Sequence, residues 1–240
     1  MVFHPEDFDF ERLHNFQIKE ILRTTNFNTI HQVCKQAQRF STMNVVVAET
    51  GFGKTNGLEY FAENTDHVIY VSVTKAMTSK IMYGAILKAA GWKNIYREST
   101  LFHIIESIGY YLKETPGKKL LIIDEANQIS NTNLIHLHDL RDATNNIAGI
   151  VLAGAKDFQI KMEEYHEINK FGMPEFIRRI FSWIVLDAPT FAEKCQLYRS
   201  HGFKNKTIIE AYAKTDKNLD DSYKNIQRVA MLYLKSIGEL

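Results

Sequence analysis

Five short runs of nearly unbroken apolar residues punctuate this chain, and between them apolar residues recur every third or fourth position. The runs at Val45–Val47, His67–Val73, Lys119–Asp124, Ile147–Gly154 and Ile180–Leu186 predict strands, and the continuous ones have the composition of parallel strands buried on both faces. Ile30, Val33, Cys34 and Ala37 fall on one face of a helix leading into the first strand. Further helices are predicted over 56–64, 77–90, 99–113 and 131–144. Beyond Thr190 the strand signal stops, and helices near 190–200, 205–214 and 221–237 are joined at His201-Gly202 and Thr215–Asn218. Strands alternating with helices imply an α/β fold with right-handed crossovers: a mostly parallel five-stranded sheet flanked by helices, with a small C-terminal helical lid. The expected domains are a lead-in over 1–42, an α/β core over 43–188 and the lid over 189–240.

Two of the strands end in chemistry. The first runs into Ala48-Glu49-Thr50-Gly51-Phe52-Gly53-Lys54-Thr55, seven of eight positions of the phosphate-loop pattern G-x-x-x-x-G-K-[ST], with Ala48 in place of the first glycine. Gly51 and Gly53 let backbone N–H groups converge on one anion, and the following helix presents its positive N-terminus. Thr50, Gly51, Phe52, Gly53, Lys54, Thr55 and Asn56 are therefore assigned to a nucleotide, with Lys54 on the β/γ-phosphates and the Thr55 hydroxyl on Mg²⁺. The alanine is expected to tighten the loop without abolishing it. The third strand ends in Asp124-Glu125, and a buried strand seldom ends in paired acids. Asp124 is placed at the Mg²⁺ hydration shell, with Glu125 polarising an attacking water. ATP and Mg²⁺ are the implied cofactors of a P-loop NTPase.

Composition narrows the class without naming a partner. The 240 residues carry 45% hydrophobic and 24% charged side chains, as an ordinary globule does, and a net charge of +1 neither favours nor forbids nucleic acid. There is no apolar run long enough for a membrane span and no basic-then-apolar leader, so a cytoplasmic protein is expected. Cys34 and Cys195 lie far apart and read as buried thiols.

Taken together, these features resemble the AAA+ ATPases, and among them the branch of the phage Mu B transposition protein and the TnsC-type transposition regulators. The resemblance spans roughly residues 27 to 235. It rests on the Cys34 helix, on Glu49–Thr55, on Ile122-Ile123-Asp124-Glu125-Ala126-Asn127, on Leu140-Arg141-Asp142 and on Gly149–Gly154. It implies a slow ATPase that self-assembles into a ring or helical filament on double-stranded DNA and recruits or activates a transposase. A neighbouring subunit's arginine would complete each site; Arg178-Arg179 stand at that place, with Arg179 the chosen finger. The lid's residue toward the γ-phosphate would be Gln227 or Arg228, with Arg228 assigned to the nucleotide, and Lys156 is offered for the polar sensor missing from Gly154-Ala155. The lead-in is too short for the DNA-binding module of the larger regulators, so DNA contact is assigned to Lys75, Thr78 and Lys80 after the second strand. The alternative functions are a DNA-independent switch ATPase or a helicase-loader-type protein acting on a protein partner.

Other constellations carry less. His136 and His138, two apart on a helix, point to different faces and do not chelate one ion. Trp92 and Trp183 read as packing, and Phe8, Phe10, Phe16 and Phe27 either pack on the chain's own core or dock a neighbouring subunit.

Overall fold

Strands β1 (Met43–Val47), β2 (Val68–Ser72), β3 (Lys119–Asp124), β4 (Ala148–Gly154) and β5 (Ser182–Val185) form one sheet in the order β2-β3-β4-β1-β5. Every neighbouring pair is parallel. The computed structural model describes residues 3–4, 6–16, 21–92 and 100–239; Met1, Val2 and Pro5 of the lead-in and the predicted helix start at Ser99 lie outside them. The helices are α1 (Phe10–His14), α2 (Thr25–Phe40), α3 (Lys54–Glu63), α4 (Ser79–Ala89), α5 (Leu101–Glu114), α6 (Asn131–Ala143), α7 (Lys156–Glu167), α8 (Met173–Arg178), α9 (Phe191–Ser200), α10 (Lys206–Thr215) and α11 (Leu219–Ser236).

The chain divides into an α/β unit, residues Thr29–Ala48 and Lys54–Leu186, and a helical unit made of Met1–Asn28, Glu49–Gly53 and Asp187–Leu240. In the α/β unit β1, β3 and β4 are buried along their whole length. On one sheet face Val45, Val47, Leu121, Ile123, Ile150 and Leu152 join an apolar cluster with Met82, Ile86, Ile108, Leu137, Phe158 and Phe176 of the flanking helices. The alternate residues Val46, Leu120, Ile122, Val151 and Ala153 are equally buried on the other face. There α2 lies so close that a Cβ at Gly149 would stand 2.1 Å from the Ala37 carbonyl oxygen.

β5 departs from the expectation of a fifth buried strand. It pairs only with β1, its residues are half-buried to exposed, and Phe181 just before it is 76% exposed. An edge strand keeps one free flank, and an apolar run alone does not reveal that flank. The stretch 155–179, for which the sequence predicted no element, holds α7 and α8.

In the helical unit, the N-terminal segment packs with α9, α10 and α11. Phe8, Leu13 and Phe16 are buried with Tyr198, Phe203, Ile209, Ile226 and Val229, and Phe10 stacks on Tyr233 at 4.8 Å. Of the two readings of the aromatic lead-in, packing within the chain is the one observed. A buried carboxylate fastens the helices: Asp216 accepts from the Tyr198 and Ser222 hydroxyls, both at 2.7 Å, and from the Asn225 amide at 2.8 Å.

Candidate nucleotide site

The loop after β1 turns through two left-handed glycines, Gly51 at φ +81° and Gly53 at φ +83°, and α3 begins directly at Lys54. This is the geometry that turns successive N–H groups into one concavity. Ala48 does not take a positive φ, and its N–H is spent on the Gly154 carbonyl at 3.3 Å. A Cβ is therefore tolerated where the pattern has glycine. Lys54 Nζ donates to the Ala48 carbonyl at 2.7 Å, holding the ammonium at the mouth of the loop.

At the end of β3, which lies beside β4 and β2, Asp124 is almost fully buried. The Thr55 hydroxyl donates to its Oδ2 at 2.9 Å, and the Glu125 N–H donates to its Oδ1 at 2.8 Å. With its proton given to Asp124, the Thr55 oxygen keeps lone pairs for a cation, and a set of hard oxygen donors suits Mg²⁺. Glu125 follows in the left-handed region, φ +58°, and opens the short 3-10 turn Ala126–Gln128. For a glutamate such a backbone costs about 1 kcal/mol, a strain that clusters at functional sites.

Two side chains here escaped the sequence reading. Tyr70, on β2, donates to Asp124 Oδ2 at 2.9 Å. Burial first, then the adjacent Asp124 carboxylate, push its phenol well above the usual value, so it stays a donor. Asn127, within the motif but given no role, accepts the Ala155 N–H on Oδ1 at 3.0 Å. A Cβ at Gly154 would come within 3.1 Å of that Oδ1, so the bare strand end is what admits the amide beside it.

In the helical unit the loop residues Thr50 and Gly51 meet the start of α11. Asn218 Nδ2 donates to the Thr50 carbonyl at 3.2 Å, the Leu219 N–H to the Gly51 carbonyl at 3.2 Å, and a Cβ at Gly51 would lie 2.6 Å from Asn218 Cγ. Asn26 spends its amide on the Phe52 and Asp187 carbonyls at 3.1 and 2.8 Å. Arg228 is exposed on α11 and donates to Asn225 at 3.1 Å, while Gln227 is half-buried. Asn56 lies exposed in the first turn of α3, and Lys156 opens α7.

The two arginines differ. Arg179 grips Asp142 through two parallel bonds, Nε to Oδ1 at 3.1 Å and Nη2 to Oδ2 at 3.0 Å, and Nη1 reaches the Glu175 carbonyl. Arg178, beside it, is exposed and has no hydrogen bond or ion pair among the described residues. Arg141 ties α6 to the carbonyls of Ser41 and Ala148. Lys75 and Thr78 lie exposed between β2 and α4, with Thr78 also capping α4, and Lys80 is exposed in the first turn of α4. His136 faces Asp139, and no metal-binding cluster of histidine, cysteine and acids occurs among the described residues. Both cysteines are buried and unbridged, and burial pushes the Cys34 thiol up to about 12. No helix among the described residues is long and apolar enough to cross a membrane.

Solved structures with the same fold include the Aeropyrum pernix ORC2 protein in ADPNP–ADP complexes (TM-score 0.69, 16% identity, 97% of this chain and 68% of that one). Cdc6p from Pyrobaculum aerophilum is similar too (TM-score 0.68, 14% identity, 96% of this chain and 67% of that one). So is the Aeropyrum pernix ORC1 protein in complex with DNA (TM-score 0.65, 12% identity, 98% of this chain and 66% of that one). At such identities the likeness is one of fold, and this chain spans about two thirds of each of them. No curated protein matches in sequence. Residues 39–162 match the AAA domain family, a span running from the end of α2 through both motifs into α7. With its five-stranded parallel sheet and its phosphate loop ahead of α3, the chain belongs to the AAA domain family and has the AAA+ P-loop NTPase fold.

Proposed function

We propose that this chain binds ATP with Mg²⁺ at the Ala48–Thr55 loop, hydrolyses it slowly, and works as an oligomer on double-stranded DNA to regulate transposition. The observation that carries the reading is the Thr55–Asp124 hydrogen bond, which unites the two motifs at a single carboxylate 69 positions along the chain. Lys54 and the loop N–H groups of Thr50–Gly53 hold the phosphates; Thr55 and Asp124 hold the metal. Bound there, Mg²⁺ supplies charge neutralisation on the phosphates. Glu125 takes the proton of the attacking water on its carboxylate, and Arg228 of α11 supports the nucleotide.

For the finger given in trans, the free side chain is the better candidate. Arg179 is spent on Asp142 in its own chain, whereas Arg178 is exposed, so the role passes from Arg179 to Arg178. Lys75, Thr78 and Lys80 bind DNA phosphates without reading bases, which makes the affinity fall with salt. That the fold is shared with an ORC1 protein in complex with DNA supports a DNA substrate. The transposase partner rests on the motif resemblance.

The experiment measures duplex-DNA binding and particle size with ATP, with ADP and with Glu125→Gln. Salt-sensitive assemblies formed with ATP or the variant and dissolved by ADP support the reading. Nucleotide binding with no DNA binding sends it to a switch or loader acting on a protein. Transposase capture by the ATP-bound assembly tests the finer function.

A further inference from the structure

Tyr70 touches the proposed metal-binding carboxylate from a strand outside both motifs, and the reaction as proposed gives it no part. In register Tyr70 pairs with Ile122 and Ser72 with Asp124. Tyr70, Ile122 and Asp124 therefore share one sheet face, and the phenol reaches forward two residues, about 6.6 Å along the strand, to the acid. Its hydroxyl and that of Thr55 both donate to Oδ2, each at 2.9 Å, while among the described residues Oδ1 receives only the Glu125 N–H at 2.8 Å. A carboxylate oxygen has roughly two acceptor sites. Oδ2 is thus filled, and Oδ1 keeps one site open.

We propose that Tyr70 is a positioning residue for Asp124: by taking the second site on Oδ2 it locks the carboxylate's rotation and turns Oδ1 toward the water shell of nucleotide-bound Mg²⁺. Without Tyr70 the carboxylate keeps a single contact on each oxygen, the Thr55 hydroxyl on Oδ2 and the Glu125 N–H on Oδ1, and retains freedom to rock about its Cβ–Cγ bond. The second donor, arriving from the neighbouring strand, removes that freedom. The inference rests on the ATP–Mg²⁺ reading above.

The test compares the wild-type chain and Tyr70→Phe, titrating a fluorescent N-methylanthraniloyl-ATP in EDTA and then at rising MgCl₂, with circular dichroism to establish folding. Phenylalanine keeps the ring on the sheet and removes only the donor. Affinity in EDTA should stay within about twofold, and the MgCl₂ needed for half of the metal-dependent gain should rise about tenfold, as loss of an orienting partner does at metal sites. MnCl₂ should show the same offset. A general loosening of the fold would weaken nucleotide binding in EDTA as well, and that outcome, or an unchanged magnesium requirement, overturns the proposal. If the wild type binds the nucleotide without any gain from MgCl₂, the ATP–Mg²⁺ reading itself fails and takes this one with it. Should Tyr70→Phe not fold, Tyr70→Leu serves the same comparison.

Discussion

Thr55 and Asp124 meet in a hydrogen bond, because a strand, a glycine turn and a helix start leave the chain little other way to run. Removing the Lys54 ammonium by Lys54→Ala deletes a charge-assisted contact, and ATP affinity should fall by about 2 kcal/mol or roughly 30-fold in equilibrium dialysis. Glu125→Gln should leave that affinity within about threefold while product phosphate disappears, since the carboxylate is assigned to the proton alone. What the motifs could not disclose depends on neighbours far away in sequence. Tyr70 looked like an ordinary β-forming aromatic, because its bond to Asp124 depends on the register of β2 against β3. Asn218 lay in a predicted joint between helices; it caps α11 and also fills the space that Gly51 leaves vacant. Arg178 and Arg179 are adjacent in sequence, and only the placement of Asp142 on α6 separates the engaged side chain from the free one.

At the level of elements, the sheet and the helices of the C-terminal region were legible because their periods are strong. α7 and α8 were not: α7 buries only Phe158 and Met162 among charged neighbours, too thin a stripe to announce a helix. Nor does sequence reveal how closely elements approach. Gly149→Ala would drive a methyl into the backbone of α2, and it should destabilise the α/β unit by about 1–3 kcal/mol or prevent folding, read as a lowered unfolding midpoint in urea. A second prediction concerns the start of α9, where Thr190 and Glu193 form a capping box and Glu193 Oε1 also accepts the Thr25 N–H at 2.6 Å. Burial alone would raise the Glu193 pKa; the N–H donors of Thr25 and Thr190 and the Thr190 hydroxyl outweigh it and hold the carboxyl below its ordinary value. A depressed folded pKa stabilises above the unfolded pKa of about 4.3 and is lost as pH falls through the folded one. Glu193→Gln should therefore lower the melting temperature at pH 7, and the difference from wild type should shrink below about pH 4.

For the whole molecule, the proposed trans arginine makes the active site a property of the assembly. Mixing equal amounts of Glu125→Gln and Arg178→Ala subunits, each inactive alone, should restore about a quarter of wild-type hydrolysis, because one interface in four then joins an intact glutamate to an intact arginine. Arg179→Ala should not complement in this way, since its loss frees Asp142 within the same subunit. The helical unit also has a history written into its connectivity. It is assembled from Met1–Asn28, Glu49–Gly53 and Asp187–Leu240, with most of the α/β unit lying between them in sequence. Phe8, Leu13 and Phe16 are synthesised long before Tyr198, Phe203 and Ile226, the residues that bury them. Until synthesis has passed residue 203 that aromatic segment lacks its cover from α9 to α11, so a stall before then leaves it open to aggregation.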